Sequence, residues 1–147
     1  MEDIYFAASI RGGIYDIDIY FEIINYLKKY GNVLTEHIGR TYLTSFGKEE
    51  LSDGFIHFRD MGWITNSKNI VAEVTQSSLG VGYEIGRIVE RNKWVSETQR
   101  KNILCLYKPR INKKLSAMIA GSDGVINANY KNLEEAFKAI DNFFKIQ

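Results

Sequence analysis

The strongest constraint in this sequence is a change of period that repeats along the chain. Short apolar runs of strand composition alternate with longer stretches whose apolar residues recur every three or four positions. Ile4 to Ala8 is the first such run. The turn Ser9-Ile10-Arg11-Gly12-Gly13 follows it, and from Asp16 the positions Ile17, Tyr20, Phe21, Ile24 and Leu27 mark one face of a helix that Gly31 closes. Asn32 to Thr35 reads as a second strand and residues 39–54 as a polar excursion. A helix then runs from near Phe55 to Asn66, with a less regular apolar pattern (Phe55, Ile56, Met61, Trp63, Ile64). Ile70 to Val74 is the third strand, and the glycine-bearing loop 75–82 leads to a helix starting near Tyr83, with Ile85, Ile88 and Val89 facing inward. Residues 93–102 read as a helix tail and surface loop. Ile103 to Tyr107 is the fourth strand and Val125 to Ala128 the fifth. Leu133, Ala136, Phe137, Ile140, Phe143 and Phe144 form a closing amphipathic helix.

Five strands separated by helices require a parallel sheet, because right-handed crossovers are nearly obligatory for that alternation. The expected architecture is α/β: a three-layer, doubly wound, flavodoxin- or Rossmann-like sheet of five parallel strands, in a single domain spanning residues 1–147. Such sheets bind ligands beyond the carboxyl ends of their strands, where the strand order reverses. The segments 9–14, 36–39, 75–84 and 109–118 are the places to look.

Charge and composition remove several function classes. The 147 residues carry 19 Lys and Arg against 18 Asp and Glu, which argues against a nucleic-acid polymer or a membrane surface as partner, since both need a concentrated basic face. One cysteine and two histidines cannot build a disulfide framework or a Cys/His zinc site. No stretch approaches the ~18 apolar residues of a membrane span, and Met1 to Ser9 lacks the basic start of a signal peptide, so the expected location is cytoplasmic, and nuclear as well.

Two glycine-bearing turns follow strands one and three, which would lie side by side at the switch point. In the first, Arg11 and the Ser9 hydroxyl are charge-assisted donors suited to a phosphate, and the glycines admit close backbone approach. The second, Ser78-Leu-Gly-Val-Gly-Tyr-Glu84-Ile-Gly86, invites a dinucleotide reading, but the fingerprint would require glycine where Ile85 stands. It offers instead Glu84 in the first turn of a helix, a carboxylate kept ionised by the helix end and able to act as a nucleophile, or merely complementing the dipole. Asp60, in His57-Phe-Arg-Asp60-Met-Gly-Trp63, would act as a general acid if buried among aromatics, or be an exposed helix aspartate. Tyr5 either aims its hydroxyl into the site or fills the core, His37 is a ligand contact or a structural histidine, and Cys105 reads as a buried small hydrophobe.

These segments in this order (Tyr5-Phe-Ala-Ala-Ser9-Ile-Arg11-Gly-Gly, Leu34-Thr-Glu-His37, Asp60-Met-Gly-Trp63, Val71 through Glu84 to Arg87, Ile103 to Tyr107, and Leu115-Ser116-Ala-Met118-Ile) resemble the 2′-deoxynucleoside 5′-phosphate N-hydrolases of the nucleoside 2-deoxyribosyltransferase superfamily. The resemblance runs from residue 4 to about 120. It implies hydrolysis of the N-glycosidic bond of a deoxynucleoside monophosphate to free base and 2-deoxyribose 5-phosphate, with no metal or redox cofactor. By the same similarity Glu84 is the nucleophile that forms a glycosyl-enzyme intermediate, Asp60 the acid/base group, and Tyr5 the hydroxyl that positions Glu84. Ser9, Arg11, Gly13, Ser78 and, across a homodimer interface, Ser116 would hold the 5′-phosphate, with Met118 near it. Ile10, Gly12 and Gly80 would line the same site and His37 would lie near the base. The chain departs from the family's usual pattern with Ala8 for glycine, Ser77 for proline, an apolar Ile14 and extra residues around 94–101.

Two carboxylates in different environments suit an oxocarbenium-like transition state, and a covalent, retaining route predicts carboxyl groups roughly 5 Å apart, against ~8 Å for direct attack by water. The alternatives are transfer of the deoxyribosyl group to a second base, a ribonucleotide (CMP-type) N-glycosidase, and an idle nucleotide-binding module. A transferase of unphosphorylated nucleosides has no use for Arg11, Ser9, Ser78 and Ser116 around a phosphate.

Overall fold

The computed structural model describes residues 1–9, 16–36 and 51–146. Its elements follow one another as β1 (Asp3–Ala8), α1 (Ile17–Leu27), β2 (Asn32–Leu34), α2 (Asp53–Asn66), β3 (Asn69–Glu73), α3 (Leu79–Asn92), a 3₁₀ turn (Glu97–Gln99), β4 (Asn102–Tyr107), α4 (Ala117–Ala120), β5 (Ile126–Asn129) and α5 (Leu133–Lys145). The strands pair in the order β2-β1-β3-β4-β5, all parallel, with Ala8 opposite Glu73 and Glu73 opposite Leu106. The order reverses between β1 and β3, so the carboxyl ends of these two strands are neighbours, as the alternation of periods predicts.

Period-two alternation along the strands assigns each face of the sheet its helices. Ile4, Phe6 and Ala8 of β1 pack with Tyr20, Ile24 and Leu27 of α1 and with Ile140 and Phe143 of α5. Tyr5 and Ala7 face the other way, with Ala72, Cys105, Ile64 of α2 and Val81, Ile85 and Ile88 of α3. Each large aliphatic side chain so buried contributes roughly 1.5–3 kcal/mol before ordering entropy is charged against it. Cys105 is wholly buried in the second layer, and that burial pushes its thiol up to about 12.

Several element ends differ from the sequence pattern, each for a local reason. Helix α1 ends at Leu27, with Lys28 as its cap, rather than at Gly31. Gly31 serves a different need: a Cβ there would stand 2.3 Å from the Glu2 carbonyl oxygen, which accepts the Asn32 N–H at 3.0 Å. Helix α2 starts at Asp53 because Ser52 Oγ accepts the Phe55 N–H at 3.2 Å. Helix α3 starts at Leu79 rather than near Tyr83, because Ser78 Oγ accepts the Val81 N–H at 3.3 Å and the helix carries Gly80 and Gly82 in its opening turns. The segment 109–118, expected as loop, contains the start of α4, capped by Ser116 Oγ through the Met118 N–H at 3.3 Å. Among the described residues no helix is long and apolar enough to cross a membrane.

Candidate active site

A cavity of about 510 Å³ opens at the carboxyl end of the sheet. Its floor is the end of β1, from Tyr5 to Ser9. One wall is the stripe Asp53, Ile56, His57 and Asp60 on α2, at helical spacing, and the other is Ser77, Ser78, Gly80 and Glu84 at the start of α3. This explains the irregular apolar pattern of α2, whose buried residues are Asp60 and Ile64 alone: the face it turns inward borders a cavity as much as a core.

Tyr5, Asp60 and Glu84 come together there. The Tyr5 hydroxyl donates to Glu84 Oε1 at 3.0 Å, while Glu84 Oε2 is buried with no hydrogen-bond partner among the described residues. Tyr5 is held well above its ordinary range by burial first and then by the charges of Glu84 and Asp60, so its proton stays on the hydroxyl. Glu84 is the sixth residue of α3, not a first-turn carboxylate kept ionised by the helix end. Burial pushes its carboxyl up to about 7, the Tyr5 bond pulls it back, and the Asp60 charge adds to the rise.

Asp60 is 4% exposed and belongs to a charged chain. Arg59 donates from Nε to Asp60 Oδ1 at 2.9 Å and reaches Glu36 Oε1 with Nη2 at 3.1 Å, with its guanidinium 4.5 Å from the centre of the Trp63 ring. Trp63 in turn lies 6.3 Å, centroid to centroid, from Tyr5. Glu36 lines the cavity, and its carboxyl is pushed up to about 8 by burial, then by hydrogen bonding to Asp60 and the Asp60 charge, against the pull of Arg59. One guanidinium therefore serves two of three carboxyl groups. Sequence reasoning missed Glu36 and Arg59; the available signals were the place of Glu36 just beyond the second strand and the adjacency of Arg59 to Asp60.

The proposed phosphate contacts divide. Ser9 and Ser78 line the cavity together with Gly80. The Ser78 hydroxyl, though it accepts from Val81, keeps its own proton to donate. A Cβ at Gly80 would meet nothing nearer than Ser78 Oγ at 3.9 Å, so packing within the chain does not demand glycine there. Ile10, Arg11, Gly12, Gly13 and His37 lie outside the described residues. Ser116 and Met118 are exposed and do not border the cavity of their own protomer. Among the described residues no group of three or more His, Cys, Asp or Glu is arranged to hold a metal ion.

No protein-family model matches the chain. Among curated proteins, it is 46% identical over 147 residues to the 5-hydroxymethyl-dUMP N-hydrolase of Esox lucius, covering 97% of this chain and 95% of that one. It is 52% identical over 120 residues to the protein of the same name from Danio rerio, covering 82% and 78%. The chain belongs to the 2′-deoxynucleoside 5′-phosphate N-hydrolase family. The family resemblance read from the motifs therefore stands, and with it the assignment of this N-hydrolase-family member to the N-glycosidases. Its fold is also that of the solved Clostridium botulinum CMP N-glycosidase, with a TM-score of 0.62 at 16% identity, covering 96% of this chain and 99% of the other.

Proposed function

We propose that this chain hydrolyses the N-glycosidic bond of a 2′-deoxynucleoside 5′-monophosphate, 5-hydroxymethyl-dUMP being the first candidate from the names of its relatives. The observation that carries this reading is the asymmetry of Glu84: one carboxylate oxygen is engaged by Tyr5, and the other is buried beside Asp60 with no hydrogen-bond partner among the described residues. In the first step Glu84 Oε2 attacks the anomeric carbon as the bond to the base breaks. The electron pair leaves with the base nitrogen, and Asp60 delivers the proton. Glu36, whose carboxyl is pushed up to about 8 and hydrogen-bonds to Asp60, holds that proton before the first step and receives it back through Asp60 after the second. In the second step water adds to the anomeric carbon, Glu84 departs as carboxylate, and Asp60 takes the water proton. Ser9, Arg11, Gly13 and Ser78 hold the phosphate, Ile10, Gly12 and Gly80 line the same site, and His37 stands near the base. No metal or redox group is needed by this route.

The finer reading includes a homodimer in which Ser116 of one protomer reaches the phosphate in the site of its partner and Met118 packs nearby. Supporting it, Met118 is 83% exposed and Leu79, at the start of α3, is 96% exposed. Chromatography of products from a panel of deoxy- and ribonucleoside monophosphates and free nucleosides, with and without excess acceptor base, tests the whole proposal. The expected result is free base and 2-deoxyribose 5-phosphate from deoxynucleotides, without base exchange, and loss of turnover by at least about a thousandfold in a folded Glu84→Ala variant. Undiminished turnover in that variant removes Glu84 from the mechanism.

A further inference from the structure

A carboxyl group is buried at the end of a strand of this sheet, on the face away from the cavity. Glu73 ends β3 at 1% exposure and points towards the α1 and α5 side, by alternation with Ala72 and in register with Ala8 and Leu106. A lone carboxyl at the end of an apolar strand is costly to bury and persists when its bonds do something. Glu73 Oε1 accepts from three groups: the Thr75 backbone N–H at 3.2 Å, the Thr75 hydroxyl, and the Tyr130 hydroxyl at 3.2 Å. The Thr75 hydroxyl in turn accepts the Lys108 N–H at 2.8 Å. Two residues further on, Arg110 Nη2 donates to both oxygens of Asp16, at 2.7 and 2.9 Å, and Asp16 is the residue just before α1. The Glu73 carboxyl thus ties the end of β3 to Thr75 and Tyr130 and, through the Thr75 hydroxyl, to Lys108 just past β4. Between Thr75 and α3 stand only Gln76, Ser77 and Ser78, and the last two border the cavity.

We propose that Glu73 is a positioning residue for the phosphate end of the site: from the opposite face of the sheet its carboxyl fixes the 74–78 turn, and with it the Ser78 hydroxyl and the first turn of α3. The role assigned to that end rests on the proposed function above. Glu73 acts through Thr75 and touches no substrate. Glutamine places an accepting amide oxygen where Glu73 Oε1 stands, so the Thr75 and Tyr130 bonds survive the exchange. Burial favours the neutral carboxyl, which glutamine copies in shape and in its accepting oxygen.

The test compares Glu73→Gln, Glu73→Leu and Thr75→Val with the native chain, by steady-state kinetics on a deoxynucleoside monophosphate and by hydrogen exchange. Glu73→Gln keeps native KM and kcat. Glu73→Leu and Thr75→Val raise KM about tenfold, the equivalent of one or two hydrogen bonds to phosphate, with kcat little changed, and the amides of 75–81 exchange faster while those of β4 and α5 do not. A merely structural role predicts a smaller active fraction, with kcat reduced and KM native, and that result overturns the proposal. So does native KM in both folded variants. Thr75→Val, which removes one hydroxyl and keeps the shape, decides the matter if Glu73→Leu fails to fold. If the native chain cleaves no nucleotide, the proposed function fails by itself, and the exchange result then judges Glu73: selective acceleration at 75–81 supports its hold on the turn, and unchanged exchange overturns it.

Discussion

At the residue scale the site is dominated by carboxyl groups held away from their ordinary ionisation. Glu84 titrates near 4.5 when exposed and at about 7 in the folded chain, so between these values the folded state binds more protons than the unfolded one. The stability linked to this group is therefore complete below its unfolded value and lost as pH rises through about 7. Glu36 acts in the same direction, up to about 8. Replacing Glu84 by glutamine, which still accepts from Tyr5 but never ionises, should leave the melting temperature near native at pH 4.5 and raise it at pH 8, where the stabilisation is on the order of 2 kcal/mol. Thermal melts of both proteins at the two pH values check this; a gap that does not widen with pH would show that Glu84 ionises freely in the folded chain. The same burial that weakens the fold at high pH leaves Glu84 Oε2 desolvated, the state in which a carboxylate attacks a carbon most readily.

At the element scale α3 carries three glycines in positions where other residues would make a firmer helix. A Cβ at Gly82 or at Gly86 meets nothing within 4 Å. Gly86→Ala should therefore stabilise the chain by about 0.5–1 kcal/mol, a rise in melting temperature of roughly 2–4 °C. A fall instead would show that a contact from outside the protomer needs the bare backbone. Gly80 and Gly82 also explain where the sequence misleads: they read as loop, and only the Ser78 side chain, capping Val81, marks the true start of the helix. The first-turn placement of Glu84 was lost with that start. The strands, and the adjacency of the first and the third, were legible because their apolar runs are short and bounded by turn residues. Tyr5, Asp60 and Glu84 were legible as a set because family motifs carry them. Glu36 and Glu73 were not, because a glutamate at or just past the end of a strand reads as the start of a polar turn, and its meaning comes from side chains distant in sequence.

At the scale of the whole molecule the described lining of the cavity comes from β1, α2 and α3 and the residues beside them, while α4, with Ser116 and Met118, stands apart from it and largely exposed. The homodimer reading predicts that the native chain elutes at twice 16.9 kDa in solution. Met118→Asp should shift it to the monomer and raise KM for the nucleotide, because a charge cannot be buried unpaired at an apolar contact. Light scattering beside kinetics checks both halves, and a native monomer with full activity would return Ser116 to a purely local role as the cap of α4.

The residues between α3 and β4 lie at the amino end of the strands, the pole opposite the cavity. Lys68 donates to the carbonyls of Thr98 and Arg100, Arg91 to that of Gln99 and Arg100 to that of Asn92, so the segment is tied to its surroundings by long basic side chains rather than by apolar packing. An affinity handle or fluorescent label grafted beside the exposed Trp94 would therefore stand at the far pole from the cavity and leave its mouth clear.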